Sequence, residues 1–314
     1  MTAAVAPEGF RSGFIAIAGR PNMGKSTFLN QVLGRKVAIV TPKPQTTRTR
    51  ILGVRHAPGV QMVFLDTPGL HQPGARPLNR AMVATAFGAC AEADMILYFV
   101  EAPHGPVEED WTFLRRLAGG GAPLFLIVNK VDRTPRPILL PLLAACDRRA
   151  TAEGIALRGF IPLSALTGEN LTPLLQDLAA LLPPGPAYFP EGQWTDQPER
   201  FIAAEILREK LFLFLQAELP YATAVQIEGF QEEEQLLRIA AQILVERDSQ
   251  KGIVIGRGGS RLKQIGTAAR LELEQLLGIR VYLDLRVTVR KGWSADGRLL
   301  DRLGYGNGQG DAHS

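Results

Sequence analysis

The sequence has little cysteine: Cys90 and Cys146 are the only two in 314 residues, without CxxC spacing or a histidine cluster beside them. That excludes a disulfide framework and offers no zinc-ligand pattern, which leaves both as small core or helix residues. Long apolar runs are also missing. Nothing approaches the roughly 20 residues needed to span a bilayer, and Met1 to Phe10 lacks the basic-then-apolar pattern of a signal peptide. The expected location is the cytoplasm. Charge of either sign is in short supply, with 35 basic against 31 acidic residues and a net charge of +4. So small an excess does not choose between nucleic acid, a membrane surface and chance. What is present, 46% hydrophobic and 21% charged residues, suits ordinary packed cores, and the length suggests about two domains.

Along residues 13–182, apolar runs at 14–18, 51–55, 61–65, 95–100, 124–128 and 159–163 read as strands. Helical patterns at 26–33, 77–91, 107–117, 136–153 and 170–182 lie between them. Ala57-Pro58-Gly59 marks a hairpin, and elsewhere strands alternate with helices, which predicts an α/β fold with a mostly parallel sheet covered on both faces. Prolines from Pro183 to Pro198 stop helix formation and define a linker, with Trp194 expected to lie against a domain. Residues 199–303 then read as a smaller α+β domain, after which 304–314 form a glycine-rich tail expected to be disordered. Residues 1–12 read as an N-terminal extension.

Gly19-Arg20-Pro21-Asn22-Met23-Gly24-Lys25-Ser26 fits GxxxxGK[ST] between a strand and a helix. Such a loop wraps phosphate in backbone N–H groups, with Lys25 reaching the terminal phosphates and Ser26 a magnesium ion. Asp66-Thr67-Pro68-Gly69 closes a strand, which places Asp66 behind that magnesium and leaves the Gly69 N–H for the γ-phosphate. Asn129-Lys130-Val131-Asp132 ends another strand. The Asp132 carboxylate there accepts from the ring and exocyclic nitrogens of guanine and repels adenine, while the Lys130 stem covers the base and Asn129 ties the loop down. Ser164-Ala165 would supply a backbone N–H to the guanine oxygen. The four in this order resemble the G1, G3, G4 and G5 motifs of translation-factor-related GTPases.

A polar loop, Gln45-Thr46-Thr47-Arg48-Thr49, stands where such enzymes keep switch I, which orders around γ-phosphate. Thr47 is taken as the magnesium-sensing hydroxyl, with Thr46 the close alternative. After Gly69 stands Leu70, where Ras-type enzymes carry a glutamine that orients water. Leu70 beside Asn22 resembles GTPases in which potassium supplies the missing positive charge, with Asn22 as its ligand; a turn-forming role for Asn22 is equally open. Lys25, Thr47, Gly69 and Asn22 are thus the catalytic candidates, and hydrolysis is expected to be slow. His71 reads as solvated, and Glu108-Glu109-Asp110 as helix capping.

In the second domain, Gly256-Arg257-Gly258-Gly259 separates the apolar run 252–255 from a helix starting at Arg261. Terminal glycines admit a phosphate backbone, with Arg257, Arg261 and Lys263 adding charge and Lys251 and Arg270 as candidates to extend it. The order helix–strand–strand–helix–helix–strand resembles a type II KH domain. Together, a P-loop GTPase domain with GRPNxGKS, QTTR and NKVD and a KH domain with IxIGRGG resemble the Era-type GTPases over nearly the whole chain. The resemblance implies GTP/GDP and magnesium as ligands, the 3′ end of 16S rRNA and the 30S ribosomal subunit as partners, and a monomer weakly peripheral to the cytoplasmic membrane.

Overall fold

The computed structural model describes residues 9–72 and 77–305 and divides into two units, each taken by itself below. The first comprises β1 (Arg11–Gly19), α1 (Lys25–Leu33), β2 (Ile51–Ala57), β3 (Val60–Asp66), α2 (Pro77–Glu92) from Met82 on, β4 (Met95–Glu101), α3 (Glu108–Ala118), β5 (Leu124–Asn129), α4 (Arg136–Ala152), β6 (Gly159–Pro162) and α5 (Leu171–Leu181). Its sheet runs β2-β3-β1-β4-β5-β6, with only β2 antiparallel, as the short β2–β3 hairpin requires. Alternation along β1 explains why both faces are covered. Ala16 and Ala18 face a core shared with Ala86, Tyr98, Trp111 and Leu126. Ile15 and Ile17 are equally buried, and the Phe28 ring of α1 packs 5.1 Å from Phe99 and 5.9 Å from Phe64. β1 starts two residues inside the expected N-terminal extension, because Arg11 and Ser12 pair with Val60 and Gln61.

The proline segment is stitched to this first unit. Ser12 N–H donates to Pro183 O, Gln61 bonds the backbone of Tyr188 and Phe189, and Trp194 receives Arg35 at 5.0 Å while its carbonyl accepts from Val54. This proline-rich stretch thus lies along the sheet edge of the first unit.

The second unit contains α6 (Glu199–Phe214), β7 (Thr223–Glu233), β8 (Leu236–Val245), α7 (Asp248–Ile255), α8 (Ser260–Leu277), β9 (Arg280–Val289) and α9 (Gly297–Arg302). Its sheet is β7-β8-β9, with β8 antiparallel to β7 and parallel to β9. The acidic run 232–234 falls at the β7–β8 hairpin, as expected. Trp293, fully buried, donates to Ala222 O at 3.1 Å and closes the core. α6 buries charge as well as apolar surface: Arg208 and Glu205 form a fork at 2.7 and 2.5 Å. The tail expected at 304–314 lies outside the described residues from 306 onward.

Residues Ile39–Thr46 cluster with the second unit. The Lys43 ammonium donates to the carbonyls of Phe212 and Leu215 at the C-terminal end of α6, and Glu209 accepts from Val40 N–H at 3.0 Å.

Candidate functional site

β1 delivers Gly19 and α1 opens at Lys25, so residues 20–24 must turn sharply between them. Asn22 (φ 64°) and Gly24 (φ 91°) make that turn in the left-handed region. Contact fixes the loop further: a Cβ on Gly24 would lie 2.2 Å from Asn129 Nδ2, and one on Gly69 2.6 Å from the Pro21 nitrogen. Lys25 folds back over the loop and donates to Gly19 O and Arg20 O at 2.9 Å each. Burial pushes its ammonium down to about 8, with Asp66 opposing that shift.

Asp66, at the carboxyl end of β3, is fully buried. Its Oδ2 accepts from Ser26 Oγ at 2.6 Å, and Ser26 Oγ lies 2.9 Å from Thr47 Oγ1. Oδ1 has no hydrogen-bond partner among the described residues. Burial drives the carboxyl up to about 6, against Lys25, Ser26 and the Thr67 N–H. Two hydroxyls in front of an orphaned carboxylate oxygen form an all-oxygen donor set, which fits magnesium. Thr47 stands in this cluster and Thr46 does not: Thr46 Oγ1 lies 2.6 Å from Thr41 Oγ1 and donates to Lys43 O at 2.8 Å. Thr46, Thr47 and Arg48 of this polar loop are buried, with the two threonine hydroxyls hydrogen-bonded to Thr41 and Ser26. Gln45 turns in the left-handed region, and the Thr49 hydroxyl is buried without a partner among the described residues.

At the other end, Asn129 joins three loops: its Nδ2 donates to Met23 O at 2.7 Å and its Oδ1 accepts from Ala165 N–H at 2.9 Å. Ala165, in the Ser164-Ala165 run expected to offer a backbone N–H to the base, thus has its loop drawn against Asn129. Ser164 Oγ donates to Asp132 Oδ1 at 2.6 Å, which orients the carboxylate. The Val131 N–H is held by Leu163 O, and Lys130 Nζ pairs with Glu101 at 2.7 Å, which sets its stem. Thr67 donates to Ile17 O and, with Pro68, is buried at the turn.

Leu70, the last residue of the run 66–70 expected to meet GTP, has its side chain fully buried in the core with Ala16, Ala18 and Ala86, and its N–H donates to Gly19 O at 3.0 Å. An apolar side chain at this turn gains from the core. His71 bonds back to Gly69 O at 2.8 Å.

One network escaped the motif reading. Asp110 does cap α3, accepting from Val107 N–H at 2.8 Å, but its other oxygen holds Arg20 of the phosphate loop and the Tyr98 hydroxyl, each at 2.9 Å. Its place at the third position of an acidic helix start was visible; its reach to Arg20 was not.

In the second unit the glycine loop joins α7 to α8, with Gly256, Gly258 and Gly259 at positive φ. Arg257 and Lys263 are exposed, whereas Arg261 donates to Ile253 O at 3.3 Å and so also caps α7. From Gly259 a groove of about 370 Å³ runs between α8 and β9, walled by Leu262, Lys263, Gly266, Arg270, Leu283 and Leu285. Gly266 opens it: a Cβ there would lie 3.1 Å from Leu285. A glycine inside a helix was the overlooked signal, since it costs about 1 kcal/mol against alanine and needs a reason.

Comparisons with known proteins match both domains. Residues 14–130 match the family of 50S ribosome-binding GTPases, and residues 218–294 match the KH domain. The chain is 51% identical to the GTPase Era of Geobacter metallireducens over 94% of its own length and 98% of that relative. It is 47% identical to the GTPase Era of Coxiella burnetii, over 93% and 97%. A crystal structure of an Aquifex aeolicus Era variant bound to GDP and AlF4 superposes with a TM-score of 0.90 at 38% identity, covering 95% of this chain and 100% of that one. Era in complex with MgGDPNP and nucleotides 1506–1542 of 16S ribosomal RNA gives 0.90 at 39% identity, covering 95% and 99%.

Proposed function

Because the chain belongs to the Era family of GTPases, we propose that it is a GTP-driven switch whose KH domain grips the 3′ end of 16S rRNA during assembly and maturation of the 30S subunit. It binds GTP and hydrolyses it to GDP and phosphate. The observation that carries this reading is the buried cluster of Lys25, Ser26, Thr47 and Asp66 under a phosphate loop, on the same chain as the glycine loop and its groove.

Residues of the chain divide the work by chemistry. Backbone N–H groups of the loop and the α1 N-terminus hold the β- and γ-phosphates, Lys25 spreads positive charge over the transferring oxygens, and the Gly69 N–H faces the γ-phosphate. Ser26 and Thr47 would hold magnesium with Asp66 behind them, and the ion would supply positive charge to the terminal phosphates. Asp132, steered by Ser164, accepts from guanine and repels adenine. Thr46 and Thr47 are chain neighbours in different units, so when Thr47 leaves Ser26 after phosphate loss, the movement passes into the segment whose Lys43 caps α6.

Two finer readings complete the proposal. With Leu70 withdrawn into the core, Asn22 would hold a potassium ion, which would supply positive charge beside the phosphates. Single-turnover hydrolysis then runs faster in potassium than in sodium, and equal rates would leave Asn22 as a turn former. The protein works as a monomer with a small fraction held at the inner membrane face by charge. No helix among the described residues is long and apolar enough to cross a membrane. Sedimentation with anionic vesicles that falls away with added salt checks this.

The test of the whole reading is to crosslink the GTP-bound protein to total cellular RNA and sequence the attached fragments. Clustering at the 3′ end of the small-subunit RNA is expected. Clustering elsewhere overturns the target.

A further inference from the structure

The segment that carries Gly69 is held from two sides. On one it rests on the phosphate loop: Leu70 N–H donates to Gly19 O at 3.0 Å, and a Cβ on Gly69 would lie 2.6 Å from the Pro21 nitrogen. On the other, Gln72 N–H donates to Glu109 Oε1 at 3.0 Å. Glu109 is the second residue of α3, next to the Asp110 that holds Arg20 of the phosphate loop. Consecutive carboxylates of one helix thus anchor the two loops assigned to the terminal phosphates.

Three acidic residues open α3, and their partners differ. Glu108 makes surface ion pairs with Arg149 at 2.5 Å and Arg115 at 3.7 Å. Asp110 is fully buried and takes Arg20, the Tyr98 hydroxyl and Val107 N–H. Glu109, half-buried between them, takes a backbone N–H of the loop after Asp66. All three suit the positive end of the helix, so the macrodipole alone does not explain what Glu109 holds. A carboxylate accepting from an N–H makes a charge-assisted bond, and this one stands on a helix fixed in the core by Trp111, Leu114 and Leu117. Residues 69–72 are therefore pinned near both ends, at the N–H groups of Leu70 and Gln72.

We propose that Glu109 is a positioning residue for GTP hydrolysis: by holding Gln72 N–H it fixes the loop so that Gly69 N–H is aimed at the γ-phosphate. The inference rests on the reading that this N–H faces the γ-phosphate. Leu70 cannot orient water, so the placement of the backbone around it carries more of the rate. GDP has no γ-phosphate, and its binding is indifferent to this contact.

Single-turnover hydrolysis at saturating GTP and magnesium, titration with fluorescent GDP and thermal melting of the full chain test it together. Glu109→Ala is expected to slow hydrolysis about tenfold with GDP affinity unchanged. Glu109→Gln keeps an oxygen that accepts from Gln72 N–H and should restore most of the rate. Glu108→Ala removes the same helix-terminal charge without touching either loop, and should hydrolyse GTP at the unaltered rate while losing as much thermal stability as Glu109→Ala. An unaltered rate in Glu109→Ala, equal slowing in Glu108→Ala, or a fall in GDP affinity matching the fall in rate would each overturn the inference and leave Glu109 a helix-end charge. Those outcomes leave the GTPase reading standing; absence of hydrolysis in the unaltered chain would remove both.

Discussion

Two glycines of the phosphate site and two of the KH loop serve opposite ends. At the phosphate site, Gly24 and Gly69 are needed because neighbouring protein atoms already occupy the space of a side chain, at 2.2 and 2.6 Å. In the KH loop, a Cβ on Gly258 or Gly259 would meet nothing within 4 Å; both hold left-handed backbone, and the space around them is open. The first site is thus a packed interior that admits a small ligand through fixed gaps, and the second a surface that leaves room for a strand to approach. Substitutions should fail differently in each: in the first by disturbing protein atoms, in the second by meeting the ligand.

The largest effect is expected from Gly24→Ala. Displacing Asn129 and straining a left-handed residue together cost about 3 kcal/mol, roughly a hundredfold in GTP affinity by fluorescent-nucleotide titration. RNA binding in the absence of nucleotide should persist. Next, Gly258→Asp should weaken RNA about tenfold through repulsion of phosphate, with little change in thermal stability because aspartate tolerates this backbone region. An equally large fall in stability would mean that the loop is packed like its counterpart.

A smaller effect tests the tether beneath the phosphate loop. Asp110→Asn keeps the shape but weakens the hold on Arg20, and should lower kcat/KM for GTP several-fold while RNA affinity is unchanged. Smallest of all is Gly266→Ala, which should stabilise α8 by up to about 1 kcal/mol yet narrow the groove and cost about twofold in RNA affinity. A gain in both would show that Leu285 moves aside freely.

Acidity separates the sites as well. Lys25 is lowered by burial to about 8 from an ordinary value of 10.5, so the folded chain gives up this proton before the unfolded chain does. Between those values the stability of the ligand-free protein should rise with pH, while GTP binding, which needs the ammonium, weakens above about 8. Denaturant midpoints and GTP titrations over that range check the opposite signs.

How far each site could be read from sequence follows from how each is built. The phosphate and guanine contacts proposed for 19–26 and 129–132 were legible as short runs, because a turn between strand and helix presents consecutive backbone groups to one ligand. The alternation of strands and helices was legible for the same local reason, down to the antiparallel β2. The KH groove is assembled from Gly266 and Leu285, nineteen positions apart, so only its loop had a contiguous signature. Asp110 was readable as a cap, but its bond to Arg20 spans two strands and depends on the sheet order. Leu70 was recognised as unable to orient water, while its burial followed only from the packing of β1 against α2.

If these unlike sites form one switch, the direct measurement is the affinity of the full chain for nucleotides 1506–1542 of 16S rRNA in its GDPNP–magnesium and GDP states. Clearly tighter binding is expected in the GDPNP state, a difference lost in Thr47→Ala while the phosphate loop still binds nucleotide. Equal affinity in the two states would contradict it, leaving a GTPase and an RNA-binding domain that share a chain without sharing a cycle.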